Sequence, residues 1–344
     1  AAYELARALR KGNGMTTGKG RKDLPSPHEY RHLARTMFIA AGVPYAESAL
    51  LLGQKLPGAS GGYVHAEHLV EHLRPMAQAL EETIVHEVGH DIHDLHPEAM
   101  DKLKKTTGWS DVANSAALKT QLKAAGLSDA AADAKIKELE GQRANSYGQE
   151  GITVNGTTYK VDPYDNSGFL SHKEKAIPKG AEWDYARTNY KDHFAEMYAS
   201  AVHTPEALHR DLVEAPGKNV AAKEKEEQKL TEKLKALQAS GKADPKKIAK
   251  LEDDIKAAKA DVTQAKDVQK MYEDQWKIMR EDVFHMSDAK VDEGAKALEG
   301  HVPAGKEKQA AKLQAEFKSR AEKVATPLQL EELEKQYAAK IEKL

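Results

Sequence analysis

Cysteine is absent from this chain. That excludes a disulfide framework and any thiolate metal site, so a bound metal must be held by His, Asp or Glu. An excess of charge of one sign is also missing. The formal net charge of −2 offers no bulk electrostatic case for binding nucleic acid or a membrane surface. No apolar run approaches the ~20 residues of a membrane span. No charged-then-apolar leader opens the chain, so no signal peptide is visible. The chain opens on Ala1 rather than Met, as a trimmed or excised piece would. Aromatic residues are scarce at 6%, against 31% charged. With a mean hydropathy of −0.68, the expectation is a helical, strongly solvated chain with extended segments. Its 344 residues suffice for one large domain or two smaller ones.

Residues 1–25 read as a flexible basic segment. Ser26-Pro27-His28-Glu29 has the form of a capping box with Pro in the first turn, and an apolar stripe follows to Ala41. A second helix is expected from about Pro44 to Leu52, a loop from Gly53 to Gly62, and a short strand at 61–64. His65, His68 and His72 read as helix surface. Residues 98–145 suggest two or three helices. Ile152 to Val161 is two β-rich runs around Asn155-Gly156, a strong hairpin signal, and 162–183 reads as loop. A further helix starts near Thr188 or Asn189. From 223 to about 282 the chain is nearly all Lys, Glu, Ala and Leu with 3-4 apolar spacing. A break at Ser240 to Pro245 makes this an antiparallel helical hairpin. Two more charged helices complete the chain, the second starting at Thr326-Pro327. These charged helices read as a solvated scaffold or as a surface for a partner.

The centre of the sequence is His86-Glu87-Val88-Gly89-His90. Leu80, Ile84, Val85, Val88 and Ile92 form a helical apolar stripe, so the expectation is a helix with that stripe buried. Residues four apart stand on one face of a helix, which points His86 and His90 the same way, off the stripe. Two imidazoles at that spacing can grip one zinc ion. Glu87, next to the first ligand, can take a proton from the attacking water, which is the logic of the HExxH motif. Two His leave zinc short of a third protein ligand. One local alternative is His96, because His86 to His96 nearly spells the metzincin pattern. That pattern wants Gly where this chain has His93, and a non-Gly residue resists the positive φ that such a turn needs.

The segment Tyr185-Ala186-Arg187-Thr188-Asn189-Tyr190-Lys191-Asp192-His193-Phe194-Ala195-Glu196 resembles a stretch of the gluzincin peptidases. The closest patterns are those of the anthrax lethal factor catalytic domain and the bacterial Pro-Pro endopeptidases. The resemblance covers mainly residues 80–92 and 185–215, with a closing helix at 268–284. It implies a third zinc ligand at Asp192, support from Glu196, and an oxyanion donor at Tyr185. The family usually carries Glu where this chain has Asp192. Asp is one methylene shorter, so either the helix approaches closely or Glu196 reaches the metal instead.

The resemblance implies an α+β fold, a predominantly helical zincin with a small sheet and an inserted helical hairpin. The implied layout is a catalytic domain over 26–220, a hairpin over 221–267, a closing helix over 268–290 and charged helices over 291–344. The implied activity is a zinc-dependent endopeptidase, with Glu87 and Tyr185 catalytic and a protein or peptide as substrate. Analogy with toxin-like relatives extends this to a secreted or injected bacterial effector. The rival is a helical scaffold or adaptor whose zinc site is structural or vestigial, with the hairpin as its partner surface.

Overall fold

The computed structural model describes residue 81 and residues 83–142, 151–165, 167–180, 183–239 and 244–344. The expectations for 1–80, including the basic segment, the two early helices, the strand at 61–64 and His65, His68 and His72, lie outside the described residues. From Ile84 to Leu344 the chain forms one compact unit. It is mostly helical with one small sheet. Among the described residues, no helix is long and apolar enough to cross a membrane.

Helix α1 covers 83–95. Pro97 then opens α2 (Pro97–Thr107), where its missing N–H is harmless in the first turn. The next elements are strand β1 (Ser110–Val112), helices α3 (Ser115–Ala124) and α4 (Asp129–Gln142), and strands β2 (Ile152–Val154), β3 (Thr157–Val161) and β4 (Phe169–Lys173). The sheet is antiparallel in the order β1-β4-β3-β2. Asn155 and Gly156 turn the β2–β3 hairpin with φ of 47° and 77°, as a tight two-residue turn requires.

One sheet face is covered by α3 and α4, with Leu118, Leu122, Ile136 and Leu139 meeting Val112, Tyr159, Val161 and Phe169. The opposite face carries Leu170 into the main core and sets His172 against Trp109, 4.4 Å between rings. Strands β1 and β4 depart from the expected helix and loop. β4 is central and buried on both faces, so Phe-Leu-Ser-His shows no alternation to read. β1 is only three residues long and takes its partner from β4, far along the chain.

Next come a single 3-10 turn (Tyr185–Arg187), α5 (Tyr190–His203) and α6 (Pro205–His209). α6 runs without a break through a π-turn (Arg210–Glu214) into α7 (Ala215–Ala239). Pro216 sits just inside α7; it lacks an N–H and crowds the preceding turn, and the wider π-turn accommodates it. Helix α8 (Pro245–Lys277) returns antiparallel and continues through a second π-turn (Ile278–Val283). Ile255, Val262 and Ala265 are buried along α8, and Lys223–Asp261 and Lys266–Glu224 pairs cross to α7. The hairpin arms are therefore extensions of core helices. The closing helix ends at Val283, within a residue of the expected 268–284, with His285 at φ 54° in the connection that follows.

The C-terminal part holds three helices where two are expected: α9 (Asp288–Ala297), α10 (Glu307–Ala321) and α11 (Pro327–Glu342). Ser287 caps α9, and Thr326 with Gln329 forms a full capping box on α11. Their core is built on Phe317, Leu330, Leu333 and Tyr337. The main core lies between α2, α5 and the ends of the hairpin, around Leu103, Trp109, Trp183, Phe194, Met197, Trp276 and Met279.

Burial holds the His172 pKa down at about 4. The unfolded chain, with an ordinary His near 6.5, binds this proton between pH 6.5 and 4 while the folded chain does not. Stability therefore falls as pH drops through that window, by up to about 1.4 kcal/mol per pH unit for this group. Urea unfolding of His172→Phe at pH 7, 6 and 5 should show a shallower acid loss than the parent protein. An identical slope would remove His172 from the account.

Candidate metal centre

Helix α1 buries His86, Gly89 and His93, while Ile84, Val85, Val88 and Ile92 are half-buried. The expected order of faces is thus shifted: the histidine-bearing face is the one pressed against the protein. The reason is Gly89. A Cβ built there would stand 2.8 Å from Ala195 Cα, 3.1 Å from Ala195 Cβ and 3.2 Å from Ala195 O. Two helices meet backbone to backbone at this point, and only a residue without a side chain permits it.

Helix α5 starts from Asn189, whose Oδ1 accepts from the N–H groups of Lys191 and Asp192. This places Asp192 in the first turn, beside the α1 histidines. His90 Nε2 is 3.2 Å from Asp192 Oδ1, and His86 Nε2 is 4.0 Å from the same oxygen. One donor atom from each of His86, His90 and Asp192 lies within 4.8 Å of the other two, a group that could hold a metal ion. For bonds of ~2.0–2.1 Å in a tetrahedron, donors stand about 3.3 Å apart. The two contacts to Asp192 bracket that spacing.

The chemistry of the donors also fits a metal. Both ring nitrogens of His86 are buried without a hydrogen-bond partner, an expensive arrangement in the absence of a ligand. His86 Nδ1 does approach Glu196 Oε1 at 3.0 Å. That approach is a close charge contact and does not count as a hydrogen bond. Asp192 is 1% exposed, and Asn189 Nδ2 donates to its Oδ2 at 2.7 Å. His90 is held above its ordinary pKa, first by the hydrogen bond with Asp192, against the opposing effect of burial. A metal ion at His90 competes with a proton for the same nitrogen, which makes binding weaker in acid.

Of the other expected site residues, Tyr185 stands in the 3-10 turn, half-exposed, its ring 5.1 Å from that of His86. Glu87 is exposed beside the group. Glu196 contacts His86 and is not among the three grouped donors. His96 is also outside the group; it precedes α2, and its ring is 6.1 Å from that of His285. An open groove of about 610 Å³, lined in part by Lys105, Lys173, Lys175 and Met271, includes none of these residues.

The support beneath the site was not read from the sequence. Lys160 of β3 is buried and donates to the Arg187 carbonyl, bracing the turn that carries Tyr185. Burial, and then the Arg187 cation, lower the Lys160 pKa to about 8. On the next face of α5, His193 is fully buried, and its Nδ1 accepts from Trp109 Nε1 at 3.2 Å. At the far end of α5, Gln329 Nε2 donates to the carbonyls of Ala201 and Val202, each at 2.9 Å. The Asn at the cap was the one legible signal, since Asn is a preferred N-cap residue. A buried Lys in a strand carries no such mark.

Compared with known proteins, the chain matches no family model, no curated protein and no solved structure.

Gly89→Ala separates helix propensity from close approach. At an open helical position the change would stabilise by about 1 kcal/mol. Against Ala195 it should instead destabilise by about 1–3 kcal/mol and weaken metal binding. Urea unfolding and metal competition measure both, and a more stable Gly89→Ala protein would contradict the tight crossing.

Proposed function

We propose that this chain is a zinc-dependent endopeptidase. The observation that carries the proposal is Asp192 Oδ1 on α5, set against the imidazoles of His86 and His90 on α1. Three donors from two helices, two nitrogens and one carboxylate oxygen, match the protein share of a catalytic zinc site that leaves a fourth position open. When bound, zinc supplies Lewis acidity, polarising a peptide carbonyl and making water a nucleophile near neutral pH.

Each protein group then has a defined task. His86, His90 and Asp192 hold the ion. The Glu87 carboxylate accepts the proton given up by the attacking water and returns it to the leaving amine nitrogen. Overall, one water is added across one C–N bond, giving a carboxylate and an amine. The Tyr185 hydroxyl donates to the carbonyl oxygen as negative charge builds there; loss of one such donor typically costs about 10²–10³ in turnover. Its place beside His86, half-open to solvent, supports that task. Glu196, 3.0 Å from His86 Nδ1, is the carboxylate placed to accept from that nitrogen and steady the imidazole when a metal is held.

Purified protein should carry one zinc and cleave members of a peptide library. Glu87→Ala should keep its zinc and lose about 10²–10⁴ in turnover. Asp192→Ala should lose the zinc itself. Peptide cleavage undiminished in Glu87→Ala, or a folded parent protein with neither zinc nor cleavage, would overturn the assignment.

A further inference from the structure

We infer that Asn189 is a positioning residue for the metal, acting through Asp192. The inference rests on the zinc site proposed above. Asn189 has two functions at once, one for each end of its amide. Its oxygen accepts from the N–H groups of Lys191 and Asp192, at 2.7 Å and 2.9 Å, and so starts α5. Its nitrogen donates to Asp192 Oδ2 at 2.7 Å, inside the protein, where Asn189 is 4% and Asp192 1% exposed.

The second bond decides how Asp192 presents itself. A carboxylate has two oxygens and can turn either or both toward a cation. With Oδ2 held by Asn189, Oδ1 is the oxygen left facing His90 Nε2 and His86 Nε2. Asp192 then acts as a one-oxygen ligand. This suits a four-coordinate ion such as zinc, whereas calcium takes six to eight oxygens and accepts bidentate carboxylates. Asn189 therefore contributes to the choice of metal as well as to the strength with which it is held. The short reach of Asp makes the restraint effective, because one bond to Asn189 and one helical turn leave the carboxylate little freedom.

The test is zinc affinity, by competition with a chromophoric chelator, on the full chain. Asn189→Asp keeps the size and the cap-accepting oxygen and removes the N–H donor. It also places a second negative charge near the ion. If Asn189 only capped α5, that charge would leave zinc affinity equal or raise it. Positioning predicts the opposite sign: affinity should fall about 10–100-fold, the usual loss when the partner of a metal ligand is removed. Asn189→Ser keeps a good cap with no added charge and should show a loss in the same range. It provides the measurement if Asn189→Asp fails to fold. Metal-free melting of both variants, followed by circular dichroism, should stay within a few degrees of the parent. Parent-like or tighter zinc binding in the folded variants would overturn the inference and leave the zinc site standing. A folded parent protein that binds no zinc would overturn both, and no Asn189 variant is needed to see it.

Discussion

The site depends on the contact between Gly89 and Ala195. Two helices cross there at a separation that a single added methyl would open. Asp192 has one methylene fewer than the Glu usual in the resembling peptidases. It reaches His90 at 3.2 Å because its helix lies that close. The short Asp192 side chain and the bare Gly89 crossing are thus two parts of one close contact. A larger residue at 89 would push the two helices apart and draw Asp192 away from His90.

The rest of the molecule can be understood as the means of holding that crossing. Phe194, Ala195 and Met197 of α5 are completely buried. One end of α5 is capped by Asn189 and the other is held by Gln329. The sheet braces the approach to α5 through Lys160, which donates to the Arg187 carbonyl, and Trp109 at the start of β1 is bonded to His193. Burying Lys160 and two histidines is unfavourable for those groups taken alone. It is tolerated where packing and hydrogen bonds over-determine the arrangement. Both ring nitrogens of His86 are buried without a hydrogen-bond partner beside the Asp192 carboxylate, where a bound cation would satisfy them.

Much of this was legible in the sequence, and the failures have physical causes. The HExxH spacing correctly placed two imidazoles side by side, because helical geometry alone determines it. Asn155-Gly156 announced its turn, since few other pairs take positive φ twice. Thr326 and Pro327 announced α11. The apolar stripe of α1 is only half-buried and does not mark its innermost face. In fact the close approach at Gly89 turns the histidines inward, and no local pattern encodes a partner more than a hundred residues away. β4 escaped notice because a strand covered on both faces loses its alternation. The contest between Asp192 and Glu196 could not be resolved from residue type. It turns on the distance between two helix axes, a property of the fold and of no single segment.

The bonds from Gln329 to the end of α5 have a temporal consequence. A ribosome delivers His86 and His90 before Asp192, and Asp192 before the clamp at Gln329. Until Asp192 emerges, the two imidazoles have no partner carboxylate from α5 to meet. After Asp192 emerges, its helix still lacks the residue that ties down the final carbonyls. The three donors and the residue that holds the end of α5 are therefore brought together in stages, in the order in which the chain is made.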